Sequence, residues 1–234
     1  MDKIESLLIV IDPTVERDFV VNKAKEIAKL ANAKVLFYIN NANTLNKQSY
    51  IYEGIDGDFF ETQRKLFEEH YRKLLDDLVT EFNSENIDAS FEFSEQHNLA
   101  ESIIDLTKKI CPDLVIKSTH HHSALERTLI TNTDWRLIRK CPAPLLLVKP
   151  DPWFNEGGAV VAVDPMHSNA QHSKLDESLI SGLNMVAKKC EFTPCVFHSY
   201  YPFVSTMFPL GGETKEHMDN IRTQHLDKVR ELIQ

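Results

Sequence analysis

Glycine is scarce in this chain of 234 residues: it has seven, and none lies between Gly57 and Gly157. The glycine-dependent motifs GxxxxGK, GxGxxG and GxSxG are all missing from the sequence. Glycine lets main-chain N–H groups approach a phosphate without a Cβ in the way. The scarcity therefore argues against a standard phosphate-binding loop or a nucleophile elbow in this stretch.

Long apolar runs, excess positive charge and paired cysteines are missing as well. No stretch of about 18 apolar residues could span a bilayer, and the charged start of the chain leads into a strand pattern rather than a secretory leader. We therefore expect a cytoplasmic protein without membrane contact. The net charge of −9 disfavours direct nucleic-acid binding, because affinity for phosphates needs clustered Lys and Arg. The cysteines have no CxxC spacing, which argues against a zinc knuckle or a redox pair: Cys111, Cys141, Cys190 and Cys195.

An internal repeat is present. The apolar run 7–13, which ends in Asp-Pro, recurs in weaker form at 159–165. Each copy continues with an amphipathic segment, a short apolar run and a second amphipathic segment, so one supersecondary unit is used twice. The repeat predicts a complete first domain at 1–150 and the first half of a second domain at 157–234.

Strand and helix patterns alternate along the chain. Strands are predicted at 7–11, 34–39, 89–93, 114–118 and 145–148 in the first copy, and at 159–163 and 195–200 in the second. Helices are predicted around Val20 to Ala31 and at 61–82, 99–110, 134–139, 175–188 and 218–233, with Asn98 capping the helix at 99 and Asn132 or Thr133 capping the helix at 134. This order indicates an α/β fold, an open parallel five-stranded sheet with helices on both faces, plus a partial second copy. Ligands of such sheets bind at the carboxyl ends of the strands.

Four features together resemble the universal stress protein family, and more narrowly its tandem E-type. They are the strands that end in Asp12 and Asp164, the segment 112–116, the segment 118–125 and the closing segment 139–148. The resemblance covers nearly the whole chain. It implies an adenine nucleotide alpha hydrolase-like fold and a role in stress endurance, including resistance to DNA-damaging conditions, through binding rather than turnover.

The first copy departs from the nucleotide-binding branch of that family. Those members carry Gly, two residues, Gly, nine residues, then Gly with Ser or Thr after the fourth strand; here these positions fall on Ser118, His121, Thr131 and Asn132. Asp134 adds a carboxylate in the first turn of the following helix, where it competes with a bound anion for the positive helix end. Lys117 and nearby histidines could still supply positive charge. We expect no ATP cofactor in the first copy, while the cofactor of the second copy stays open.

The resemblance also implies where a degenerate nucleotide site would lie. In ATP-binding members the residue matching Asp12 contacts the adenine, although an Asp before Pro is also a common turn residue. The candidate site residues are Asp12, Thr14, Ile39, Thr119, Asn132, Thr133 and Asp164.

Other chemistry finds less support in the sequence. Adjacent side chains in the His120 to His122 run point in different directions, so a metal site is not predicted, and the same holds for His167 and His172. Ser118, Thr119 and Ser123 lie near His120 only in sequence, which is not a catalytic triad, and we predict no enzyme. The aromatic and apolar cluster of the second copy could line a pocket or a partner surface: Tyr200, Tyr201, Phe203, Met207 and Phe208.

The leading hypothesis is a non-catalytic cytoplasmic stress-response protein. One alternative is an ATP-binding signalling module with slow hydrolysis, and another is a sensor of a metal or a small apolar ligand. The expected partners are a second copy of the chain, the other half of the repeat, or a small molecule in the second copy.

Overall fold

The structure is a computed structural model that describes residues 3–13, 17–40, 57–95, 98–119, 131–149, 158–166, 170–190, 192–200 and 215–233. Its contacts divide the chain into two compact units, one within Lys3–Pro152 and the other within Trp153–Gln234. Among the described residues, no helix is both long enough and apolar enough to cross a membrane.

The first unit alternates strands and helices. Its elements are β1 (Ser6–Ile11), α1 (Asp18–Ala31), β2 (Lys34–Asn40), α2 (Gly57–Ser84), β3 (Ala89–Ser94), α3 (Leu99–Ile110), β4 (Leu114–Ser118), α4 (Asn132–Lys140) and β5 (Leu145–Val148). The strands form one parallel sheet in the order β3-β2-β1-β4-β5. This confirms the predicted open five-stranded α/β sheet. The strand order reverses between β1 and β4, where the chain changes from one side of β1 to the other.

The central strand β1 is buried on both faces, as its unbroken apolar run predicts. Leu7, Ile9 and Ile11 pack on one face, in a cluster that α1 and α2 cover. Leu8 and Val10 pack on the other face, in a cluster that α3 and α4 cover. Because side chains alternate along a strand, one six-residue run supplies both layers of the core.

Asp113, in the turn before β4, fixes the start of that strand to the start of β1. Its Oδ2 accepts hydrogen bonds from the backbone N–H groups of Glu5 and Ser6 and from Ser6 Oγ, each at 2.9 Å. The hydrogen bond from the Glu5 N–H contributes most to holding the pKa of the Asp113 carboxyl below its usual value. The hydrogen bonds from Ser6 lower this pKa as well. These bonds favour the charged form of the carboxyl.

One of the two predicted helix caps is correct and the other is wrong. Asn98 caps α3, its side chain accepting from the Glu101 N–H at 3.2 Å, as predicted. The cap of α4 is Thr131, not Asn132 or Thr133, which lie inside the first turn. The reason is a capping box, in which Thr131 and Asp134 each bond the other's backbone N–H group.

The second unit contains β6 (Gly158–Ala162), α5 (Ala170–Cys190), β7 (Thr193–Phe197) and α6 (Lys215–Ile233). The two strands pair in parallel, and a small core forms around Val161 and Val163. Other apolar side chains of these strands stay exposed, with Val160 at 67% and Phe197 at 55%. The order of elements matches that of β1 to α2, while the division of the chain into a complete and a half repeat stays a prediction.

Candidate functional site

The carboxyl ends of β1 and β4 form the place where ligands of an open α/β sheet bind, because the strand order reverses between them. Asp12 follows β1 directly, and Thr119 follows β4 directly. The last two residues of β4 are Lys117 and Ser118. All four side chains are buried.

Lys117 is the centre of this site. Its side chain is 1% exposed, and its ammonium Nζ donates a hydrogen bond of 2.8 Å to the Ser118 carbonyl oxygen. Nζ lies 3.0 Å from Asp134 Oδ1 and 4.0 Å from Asp12 Oδ2. We refer to Asp12, Lys117 and Asp134 as the buried ion cluster. A buried ammonium needs such partners, because removal from water disfavours an unpaired charge.

Asp134 connects the cluster to the first turn of α4. Its carboxylate is fully buried, and Oδ2 accepts from the Thr131 N–H at 3.1 Å and from Thr131 Oγ1 at 2.9 Å. The Asp134 N–H in turn donates to Thr131 Oγ1 at 3.2 Å. Oδ1 faces Lys117 as an ion pair without the angles of a hydrogen bond. The N–H groups of Thr131 and Asp134 at the start of α4 thus both have side-chain partners.

This arrangement disfavours a phosphate at the start of α4. A phosphate site at a helix N-terminus combines unpaired N–H groups, the positive end of the helix dipole and often a lysine. Here Thr131 caps the helix, Asp134 adds a carboxylate to its first turn, and the ammonium of Lys117 faces two carboxylates. A phosphate placed at this point would meet like charge on both sides of Lys117. The chemistry of the site is therefore that of an internal ion pair.

The predicted site residues of the two central strands have structural partners. Asp12, 9% exposed, belongs to the buried ion cluster. Ile39 is fully buried and packs in the apolar cluster under α1 and α2. The Thr119 N–H and Oγ1 both donate to the Val148 carbonyl, at 2.9 and 3.2 Å, so its hydroxyl helps join β4 to β5.

The other predicted site residues lie elsewhere. Asn132 and Thr133 lie in the first turn of α4 and line an outer cleft rather than the buried ion cluster. Asp164 belongs to the second unit, where its N–H donates to Asp176 Oδ2 at 3.2 Å. Thr14 lies outside the described residues. Predictions for further residues concern parts of the chain, or side chains, that the structure does not describe: His120 to His122, Ser123, His167, His172, Tyr201, Phe203, Met207 and Phe208.

Sequence reasoning missed a polar network at the end of β2. The Tyr38 hydroxyl bonds Ser102 Oγ of α3, and Asn40 Nδ2 donates to the same oxygen at 2.9 Å. All three side chains are buried. The signal in the sequence was a Tyr and an Asn in an otherwise apolar strand, because buried polar groups need partners.

A histidine pair in the second unit was also missed. His198 Nδ1 donates to the Val163 carbonyl at 3.0 Å, since a carbonyl can only accept, and His198 Nε2 lies 2.8 Å from His225 Nδ1. The Tyr200 ring stacks on His225 with centroids 4.6 Å apart. Within the described part of the chain, no group of three or more potential ligands could hold a metal ion.

The fold and the site together define a class of protein: an open parallel α/β domain with a buried ion cluster at the carboxyl ends of its two central strands. Residues 3–149 match the profile described as the Universal stress protein family. This match covers more than half of the chain. The chain belongs to the universal stress protein family.

Relatives named Universal stress protein E are similar to the chain. The one from Escherichia coli K12 is 36% identical over 127 residues, which span 52% of this chain and 40% of that relative. The one from Photorhabdus laumondii is 24% identical over 238 residues, which span all of this chain and 75% of that relative. The match to the Escherichia coli relative thus spans less than half of that protein's length.

Solved structures show the same fold. A universal stress protein structure from Pseudomonas aeruginosa aligns with a TM-score of 0.65 at 21% identity, over 97% of this chain and 70% of that one. At this identity the similarity concerns the fold alone, and it agrees with the predicted adenine nucleotide alpha hydrolase-like architecture.

Proposed function

We propose that this chain is a non-catalytic, cytoplasmic stress-response protein that supports survival under conditions such as DNA damage, and that its first unit works without ATP. One observation supports the ATP-independent part: Lys117 and Asp134, at the end of β4 and in the first turn of α4, form a buried ion pair 3.0 Å across. Membership of the universal stress protein family supports the stress-response part.

Because the Lys117–Asp134 pair is buried, we expect that an anion displaces it less easily than an exposed pair. Two exposed charges at this distance would exchange readily for water or a bound anion, because a surface ion pair contributes only about 0–1 kcal/mol. A buried pair behaves differently, since removing one partner leaves an uncompensated charge in the interior. A phosphate next to the Lys117 ammonium would have to displace the Asp134 carboxylate from it. We therefore infer that the first unit holds one state, whatever the ATP concentration.

The local side chains also favour binding over turnover. A nucleophile has to reach a substrate, yet Ser118 and Thr119 are 1% and 5% exposed. The Thr119 hydroxyl already donates to Val148. Neither residue is therefore placed to attack a bound molecule.

The exposed apolar side chains of the second unit support self-association as the form of binding. Val160 and Phe197, on β6 and β7, expose more than half of their surface. Apolar side chains and unpaired strand edges favour association with another chain or segment. A second copy of this chain, or a further segment of the same protein, is the partner that we propose for them.

The test is complementation in cells that lack the chromosomal gene. Survival after treatment with a DNA-damaging agent is compared for the wild-type gene, an empty vector and the variant Ser118→Ala/Thr119→Ala/His120→Ala. We expect the wild type and the variant to restore survival equally. Failure of the wild-type gene to raise survival would contradict the stress role. Loss of rescue by a variant that is present at the wild-type level and folded would contradict a purely non-catalytic one.

A further inference from the structure

A cleft on the outer side of the first unit has features of a ligand site that the stress-response role does not use. Its volume is about 400 Å³, within the lower part of the range of small-molecule sites. It lies at the start of α3 and along α4, and its lining includes Asn98, Trp135, Arg136 and Arg139. We refer to it as the α3–α4 cleft. None of its residues belongs to the buried ion cluster.

The cleft is positively charged in a protein that is acidic as a whole. Helix α4 carries Arg136, Arg139 and Lys140 on its exposed surface, and its one acid, Asp134, is buried and paired. Glu101 of α3 is the carboxylate that opposes these cations, at 3.9 Å from Arg136 and 3.5 Å from Lys140. Among the described residues no carboxylate pairs with Arg139. Two guanidinium groups therefore line a cleft with one partly exposed acid beside them, which favours an anion.

Trp135 adds an aromatic surface to the same cleft. Its side chain is 45% exposed, and the Arg139 guanidinium lies over its ring, 5.8 Å from the centroid. Trp and Arg are the residue types that contribute most at binding sites, because they combine a large flat area with directed polar groups. A planar ring can stack on the exposed indole while the neighbouring guanidinium groups bind an anionic substituent of that ring.

The helix ends themselves do not account for the site. The N-terminus of α3 is capped by Asn98 and that of α4 by Thr131 and Asp134, so their N–H groups are already partly satisfied. The attraction has to come from the side chains that remain available, the two arginines, the indole and the amide of Asn132.

We propose that the α3–α4 cleft binds a small aromatic anion, a planar ring that carries a phosphate or carboxylate group. The ring stacks on Trp135, and the anionic group binds Arg136 and Arg139. This site is separate from the buried ion cluster and requires no change there.

The experiment follows the indole N–H signals of the whole chain by NMR. The protein has two tryptophans, so two signals are expected, and a Trp153→Phe variant assigns the one from Trp135. Three probes separate the parts of the ligand: phenyl phosphate has the ring and the anion, inorganic phosphate has the anion alone, and benzyl alcohol has the ring alone. We expect phenyl phosphate to shift the Trp135 signal saturably, and each of the other two to bind at least about tenfold more weakly, a loss of about 1.4 kcal/mol.

Arginine variants provide the matched comparison. Arg136→Gln/Arg139→Gln is expected to weaken phenyl phosphate at least about tenfold, again about 1.4 kcal/mol. Arg72→Gln is the control, because Arg72 also lies over an aromatic ring, that of Phe93 at 5.1 Å, but on α2 and outside the cleft; it is expected to leave binding unchanged. The proposal is overturned if the Trp135 signal does not shift saturably or if the double arginine variant binds as the wild type does. It is equally overturned if either partial probe binds as tightly as phenyl phosphate.

Discussion

Lys117 and Asp134 are the residues on which the account of the first unit depends. A strand lysine with 1% exposure and a helix aspartate with none form a pair at 3.0 Å, and Asp12 lies at 4.0 Å on the other side of the ammonium. A buried pair of this kind is weak support for stability in itself, since apolar residues of the same shape often serve as well. The pair instead holds a carboxylate, that of Asp134, beside the ammonium at the start of α4.

Removing the ammonium alone is expected to destabilise the first unit strongly. Lys117→Met leaves the Asp134 carboxylate buried without the ammonium that faces it, and we expect a loss of about 3–5 kcal/mol in the free energy of unfolding. The double variant Lys117→Met/Asp134→Asn is expected to recover much of this loss, because an Asn amide oxygen still accepts the Thr131 bonds. Urea unfolding in a Trp153→Phe background, where Trp135 alone reports on the first unit, measures both. A Lys117→Met loss below about 1 kcal/mol would contradict a desolvated pair.

Removing the carboxylate instead is expected to create an anion site. Asp134→Asn removes the carboxylate nearest to the Lys117 ammonium and leaves the first turn of α4 without a negative charge. Added phosphate should therefore bind there and raise the stability of the variant by mass action. Phosphate also stabilises proteins in general by exclusion from the surface, and the double variant Lys117→Met/Asp134→Asn corrects for this effect. We expect thermal unfolding of Asp134→Asn to rise with phosphate more steeply than that of the double variant. Equal slopes would show that no phosphate site is exposed.

At the scale of elements, Asp113 joins the turn before β4 to the start of β1. Its pKa is lowered, so the charged carboxyl contributes stability above its unfolded pKa of about 3.9, and that contribution is lost as the pH falls through the lower folded value. We expect Asp113→Asn to be less stable than the wild type by about 1–3 kcal/mol at neutral pH. The difference in the free energy of unfolding between the two proteins should become smaller at acidic pH.

Chemical unfolding at several pH values tests this contribution of the Asp113 carboxyl. Asp105→Asn is the control, since Asp105 is an exposed acid on α3 that pairs with Lys108, one turn along the same helix. A constant gap between the wild type and Asp113→Asn from neutral pH down to acid would contradict the role of the charged carboxyl.

The bounds of two strands could be predicted from the sequence, whereas the start of α4 and the partner of Lys117 could not. β4 and β5 have the predicted bounds, because Pro and turn residues flank both apolar runs. α4 begins two residues before the apolar pattern predicts, because the Thr131–Asp134 capping box starts the helix at Asn132. The competition of Asp134 with an anion was predicted from its place in the first turn. Its pairing with Lys117 was not, because a strand lysine gives no sign in the sequence of which way its side chain is buried.

At the scale of the whole molecule, the two units differ in how well their strands are covered. β1 lies inside a five-stranded sheet with helices on both faces, and its apolar side chains are at most 2% exposed. In the second unit, β6 and β7 form a two-stranded sheet on a small core, with Val160 and Phe197 exposed. Slow hydrogen exchange requires buried, cooperatively packed strands.

We therefore expect the amides of 159–163 to exchange much faster than those of 7–11 in the monomeric chain. Hydrogen exchange with mass spectrometry, at concentrations where the chain is monomeric, measures both segments in one sample. Equally slow exchange in the two segments would show that the second unit is stable without further covering.

The most direct test of the proposal that the first unit works without ATP is the same exchange measurement on the whole chain, with and without magnesium and ATP. The segments to follow contain Asp12 and Ser118–Thr119, at the carboxyl ends of β1 and β4, because a nucleotide in this crevice would shield both. The account predicts no change in their exchange at millimolar ATP. Protection of both segments with a midpoint in the low micromolar range would contradict it.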